Sequence, residues 1–136
     1  MSTLVVNTIK GQSGSTPPVV QNSSGTEIGK LCRAWVNFNG TGTVAIRDDF
    51  NVSTIGDDGT GDYFVNFTNA LADNNYCVVT SGFNSGTGDG SWISTFSSNG
   101  TWGANSDITT AKCNIVSYNS GGSSQDNQAI GVAIFS

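Results

Sequence analysis

Short runs of alternating apolar and polar residues, each closed by Gly, Asn or Asp, recur from Leu31 to the end of the chain. Ala34-Trp35-Val36-Asn37-Phe38 and Tyr63-Phe64-Val65-Asn66-Phe67 are the clearest of them. A period of two places successive side chains on opposite faces of a strand, and no window sustains the i, i+3, i+4 spacing of an amphipathic helix. The chain is therefore predicted to be all-β, with strands over residues 31–38, 43–46, 50–55, 63–68, 76–83, 91–97, 111–118 and 129–135. Between them, Asn39-Gly40-Thr41-Gly42, Asp57-Asp58-Gly59-Thr60-Gly61-Asp62, Gly86-Thr87-Gly88-Asp89-Gly90 and Ser120-Gly121-Gly122-Ser123-Ser124 suit turns at positive φ.

A chain of 136 residues has room for one core. Seven or eight short antiparallel strands within residues 31–136 predict a β-sandwich, jelly-roll-like, rather than a closed barrel. Residues 1–30 read as a short extended N-terminal segment, punctuated by Gly, Ser and the Pro17-Pro18 pair, which excludes a helix or a central strand there. That segment is too thin to own a core. Its Leu4, Val6, Ile9 and Val20 must pack against the main domain or against other copies of the chain. The final strand is apolar on both faces, with Ile130, Val132 and Ile134 on one and Ala129, Ala133 and Phe135 on the other. It needs cover on both sides, either from small loops or from another subunit.

Charged residues make up 11% of the chain, against roughly 25% in an average soluble domain, and neutral Gly, Ser, Thr and Asn fill their place. The net charge is -5 and no Lys/Arg cluster exists, so neither nucleic acid nor an anionic lipid surface is an expected partner. No apolar run is long enough for membrane insertion, and the Met1-Ser2-Thr3 start lacks the features of a signal peptide, so synthesis in a cytoplasm is expected. Cys32, Cys77 and Cys113 are widely spaced without a CxxC pair and are expected to be small buried residues. Five Asn-x-Ser/Thr sequons, at Asn22, Asn39, Asn51, Asn66 and Asn99, are what an Asn-, Ser- and Thr-rich composition produces by chance.

The chain contains no His, which removes the commonest general base. Catalysis would rest on Asp48 with Asp49, on Asp57, Asp58 and Asp62, or on Glu27, all in or near Gly-rich turns rather than facing across a cleft. No enzymatic activity and no cofactor are expected. The Asp57, Asp58, Asp62 turn offers oxygen ligands of the kind calcium prefers, but it lacks EF-hand spacing and is read as a solvated hairpin without metal. Trp35, Phe38, Phe67 and Tyr76 stand in regular strands, where packing is the expected role. Trp102 lies among Asn, Ser and Thr with no alternation to call for it. It either folds back over the sandwich or, with Asn99, Asn105 and Asp107 and joined by Asp89 and Trp92, forms a receptor-contact loop.

The run AWVNFNGTGTVAIRDDFNVSTIGDDGTGDYFVNFTNALADNNYCVV, residues 34–79, resembles a domain at or near the C-termini of tail-fibre and related virion proteins of tailed bacteriophages, many of them marine. The opening TLVVNTIKGQSG and the later SSGTEIG resemble strand-turn segments that begin many such fibres. The resemblance implies a structural virion protein, homotrimeric, whose distal domain meets a host surface. Residues 1–30 would then serve attachment and trimerisation, with Leu4, Val6, Ile9 and Val20 as contacts. Long fibres interpose an attachment domain and a rod, whereas here Gly29 leads almost directly into the β domain, so a short fibre, knob or decoration subunit is expected. The implied partners are other copies of the chain, tail or capsid proteins, and a host-surface glycan. The structural, capsid-decoration and carbohydrate-binding roles stay open at this stage.

Overall fold

The computed structural model describes residues 5–11, 18–84 and 108–136, together with the backbone of residues 92–94. The chain divides into two compact units, Met1–Leu31 and Cys32–Ser136. In the first unit, β1 (Val20–Gln21) and β2 (Glu27–Gly29) form a small antiparallel hairpin. Its turn is organised by Asn22, whose Oδ1 accepts the Ser24 and Thr26 amides at 3.0 and 2.9 Å, while Gly25 takes φ 82. Such local side-chain bonding is why Asn favours turns. No apolar side chain described in this unit is buried: Val5, Val6, Ile9, Val19, Val20, Ile28 and Leu31 are all exposed.

The second unit contains β3 (Cys32–Asn39), β4 (Ala45–Phe50), β5 (Val52–Gly59), β6 (Asp62–Phe67), β7 (Cys77–Phe83), β8 (Trp92–Ser94), β9 (Lys112–Tyr118) and β10 (Ala129–Phe135). They form two four-stranded antiparallel sheets in the orders β4-β3-β10-β7 and β5-β6-β9-β8. This is the expected all-β sandwich, and no helix occurs among the described residues that is long and apolar enough to cross a membrane. Alternation dictates the packing. Ala34, Val36 and Phe38 of β3 and Ile130, Val132 and Ile134 of β10 face inward from one sheet; Val52, Tyr63, Val65, Phe67, Cys113 and Ile115 meet them from the other. Phe38 and Tyr63 pack edge to face across the core with ring centroids 5.3 Å apart. Each such burial stabilises the fold by roughly 1.5–3 kcal/mol.

A single residue, Asn51, carries the chain from β4 in one sheet to β5 in the other. Its φ of 59 lies in the left-handed region, which Asn tolerates better than other side chains. Its amide Nδ2 donates to the carbonyls of Arg33 and Asn69, both at 3.1 Å, and its Oδ1 accepts the Asn69 amide at 2.8 Å. Phe50 therefore ends β4 instead of opening the next strand. The charged run Arg47-Asp48-Asp49 hides that strand in the sequence, because a register shift between Asn37 and Phe38 breaks its alternation. The Asp-rich hairpin is likewise tighter than its sequence suggests. Asp57 and Asp58 belong to β5, and Thr60-Gly61 alone forms the β5–β6 connection. Cys113 is buried as expected and Cys32 half-buried, but Cys77 is exposed, because its parity on β7 points it away from the core.

Candidate functional site

Among the residues singled out for receptor contact, Asp89, Asn99, Trp102, Asn105 and Asp107 lie outside the described residues. Trp92 opens β8, where its backbone pairs with Tyr118. Of the residues predicted for attachment or self-contact, Leu4 lies outside the described set, and Val6, Ile9 and Val20 are exposed by 48, 71 and 43%. Three further constellations emerge in the sandwich.

The first is a polar knot. The Tyr63 hydroxyl lies 2.8 Å from Asp126 Oδ1 and 3.0 Å from the Gly40 carbonyl, and the Gly61 amide donates to the same carboxylate oxygen at 2.7 Å. Asn127, fully buried, donates its amide to Ser117 Oγ, and its carbonyl accepts the Gly40 amide at 2.9 Å. Gly61 sits at φ 69, and a Cβ there would strike the Ser117 carbonyl and the Gln125 amide. Burial first, and then the Asp126 carboxylate, hold the Tyr63 hydroxyl far above the usual tyrosine range. That hydroxyl pins the segment after β9 to the β3 and β6 ends as a structural clamp.

The second is the outward face of the β5-β6-β9-β8 sheet. Asp62, Phe64 and Asn66 alternate with the inward Tyr63, Val65 and Phe67, and their β9 partners in register are Val116, Asn114 and Lys112. The Asn114 amide donates to Asp62 Oδ1 at 2.7 Å, and the Lys112 ammonium lies 4.0 Å over the Phe64 ring. Asn66 Nδ2 donates to Thr54 Oγ1 at 3.2 Å. Asn114 is 1% exposed and its Oδ1 has no hydrogen-bond partner. Asp62, Asn66, Lys112 and the Phe64 ring stay partly exposed and are groups that hydroxyl-bearing ligands use, whereas Asn114 and Val116 are covered. The parity of β6 and β9 carries this grouping, but only once their register is known. Among the described residues no group of three His, Cys, Asp or Glu side chains could hold a metal ion.

The third is the outward face of the β4-β3-β10-β7 sheet, where a polar row of Asp48, Asn37, Gly131 and Ser81 lies beside an apolar one. Phe50, Trp35, Ala133 and Val79 stand in direct register across its four strands. Trp35 thus turns away from the core.

Topology and register together define a two-sheet antiparallel sandwich. No family model matches the chain, and no curated protein matches it in sequence. Among solved structures it is similar to the phiAB6 tailspike, described in complex with three-repeated oligosaccharides of Acinetobacter baumannii surface polysaccharide, with a TM-score of 0.51 and 16% identity. The match covers 97% of this chain and 30% of the tailspike chain, so the likeness is one of fold to a part of a larger protein.

Proposed function

We propose that the protein is a structural virion component of a tailed bacteriophage, a short fibre or knob-like tail appendage, homotrimeric and assembled in the host cytoplasm. The observation that carries this reading is the fold likeness to a tailspike over 97% of the chain. The exposure of every apolar side chain described between Val5 and Leu31 supports a docking role for residues 1–30, since a segment that cannot bury Val6, Ile9 and Val20 by itself gains by burying them against other chains. Leu4 belongs to the same apolar series. Val6→Asp with Ile9→Asp is expected to abolish incorporation into particles while leaving the sandwich's melting transition in place. Normal incorporation would overturn the docking role, and a particle map placing the subunit on the capsid would favour decoration instead.

Contact with a host glycan is the second reading, favoured by the oligosaccharide bound to the similar tailspike. By sequence, Trp102, Asn99, Asn105, Asp107, Asp89 and Trp92 are residue types suited to a sugar, and several copies presented together would multiply a weak site by avidity. Trp102→Ala is expected to abolish adsorption with assembly intact; unchanged adsorption would end this reading.

A further inference from the structure

We infer that the end of the sandwich opposite Cys32 is the contact surface for a neutral, hydroxyl-rich host polysaccharide, carried on the connections 40–44, 60–61 and 119–128. This end-on contact rests on the docking of residues 1–30 and on the glycan contact proposed above. Strand direction carries it. β3 begins at Cys32, and antiparallel pairing makes that end common to the close of β4 at Phe50, the close of β10 at Phe135 and the start of β7 at Cys77. In the other sheet the Asn51 corner places the start of β5 there, and pairing adds the close of β6 at Phe67 and the start of β9 at Lys112. Two residues, Lys30 and Leu31, tether β2 to β3. Whatever holds residues 1–30 therefore holds the sandwich by this end. β3 is eight residues long, so its other end stands about 25 Å away.

That far end gathers the β3–β4, β5–β6 and β9–β10 connections, and the polar knot fixes them to one another. The Gly40 amide donates to the Asn127 carbonyl at 2.9 Å, the Gly61 amide donates to Asp126 at 2.7 Å, and the Tyr63 hydroxyl reaches both Gly40 and Asp126. Two of the connections are also stiffened from within. Asn39 Oδ1 accepts the Thr41 hydroxyl at 2.9 Å, and Asn119 Oδ1 accepts the Gly121 and Ser123 amides at 2.9 and 3.0 Å. Loops held in this way lose little freedom on binding, so a few hydrogen bonds suffice. Their exposed side chains include the neutral hydroxyls of Thr43, Thr60, Ser123 and Ser124. Among the described residues of these connections there is no Lys or Arg, and the Asp126 carboxylate is engaged by Tyr63 and Gly61. The exposed Asp57 and Asp58 near the close of β5 add acceptors and repel anions. Hydroxyls and carboxylates without a cation match the hydroxyls of a neutral sugar and give no grip on an anionic polymer.

The test uses the full chain and two double variants at exposed positions: Thr60→Arg with Ser123→Arg at the far end, and Ala72→Arg with Asn74→Arg in the β6–β7 connection at the tethered end. Circular dichroism and thermal melting verify folding. Binding is measured to surface polysaccharide purified from host cells, alongside adsorption of particles that carry each variant. The far-end pair is expected to weaken polysaccharide binding by about tenfold or more and to slow adsorption with normal incorporation. The tethered-end pair is expected to leave both unchanged. Thr43→Arg, on the third connection, carries the far-end expectation if that pair does not fold. Unchanged or tightened polysaccharide binding in the folded far-end variant overturns the inference. Loss of binding in Trp102→Ala with none at the far end also overturns it, and would keep the glycan reading at another site. A wild-type chain that binds no polysaccharide overturns the inference and the glycan reading together. The docking role fails separately, through normal incorporation of Val6→Asp with Ile9→Asp.

Discussion

The two outer faces of the sandwich are built from the same strand geometry and use it differently. On the β5-β6-β9-β8 side the outward residues of the central strands are bonded to one another: Asn114 to Asp62, Lys112 over Phe64 and Asn66 to Thr54. On the β4-β3-β10-β7 side, Trp35, Phe50, Val79 and Phe83 are large and exposed, beside a polar row of Asp48, Asn37 and Ser81. Most polar groups of the first face find partners within one chain, Asn114 Oδ1 excepted. The exposed apolar side chains of the second cannot, because only a second surface removes them from water. The bonded groups therefore bear on the stability of the single chain.

The sharpest way to break this contrast is Asn114→Asp, which sets a second carboxylate against Asp62 at a position 1% exposed. An unpaired buried charge costs about 3–5 kcal/mol. The introduced carboxyl would have a raised pKa in the fold, so the loss, read from denaturant unfolding, should be large at neutral pH and shrink as acid restores the proton. A loss independent of pH would contradict the bonded polar face.

A smaller effect is expected at the knot. Tyr63→Phe leaves Asp126 and Gly40 short of a donor, at about 1–3 kcal/mol. It should also flatten the alkaline limb of stability. Tyr63 and Tyr76 are held above their ordinary range by burial, and burial pushes the Cys113 thiol from 9.0 up to about 12. Raised folded values mean that stability is complete below the unfolded pKa values and is lost as pH climbs towards the folded ones. Unfolding midpoints measured from neutral pH into alkali should therefore fall, and fall less steeply in Tyr63→Phe; an unchanged slope would exclude Tyr63 as a contributor.

The smallest effects compare the two faces directly. Lys112→Met removes the cation from the Phe64 ring and should cost about 0.5–1 kcal/mol. Phe83→Thr on the opposite face keeps a strand-favouring residue and should change the stability of the single chain, measured at high dilution, by less than about 0.5 kcal/mol. Equal losses at the two positions would erase the distinction.

Much of the sandwich was legible in the sequence, and the reasons are particular. The 129–135 strand emerges with its expected bounds because Ile130, Val132 and Ile134 alternate without interruption. The inward sides of β3 and β6 follow from the same parity. The β4–β5 corner was not legible, since Arg47-Asp48-Asp49 obscures a strand whose outward side carries charge and whose pairing with β3 shifts register. Trp35 announces a packing role but not on which side of the sheet. Its outward position follows from Ala34 and Val36 claiming the core. The Asp62–Asn114 contact spans residues 52 apart in sequence and depends on β6–β9 register, which no local pattern encodes.

Asn51 has a mechanical meaning. With one residue between β4 and β5, the two sheets share a corner that has no slack, because consecutive Cα atoms are held about 3.8 Å apart. One sheet cannot slide past the other at that corner without breaking the four hydrogen bonds its side chain makes to Arg33 and Asn69. A pull applied to β4 is handed to β5 through a single residue. The sandwich should therefore bear load at that end as one rigid block.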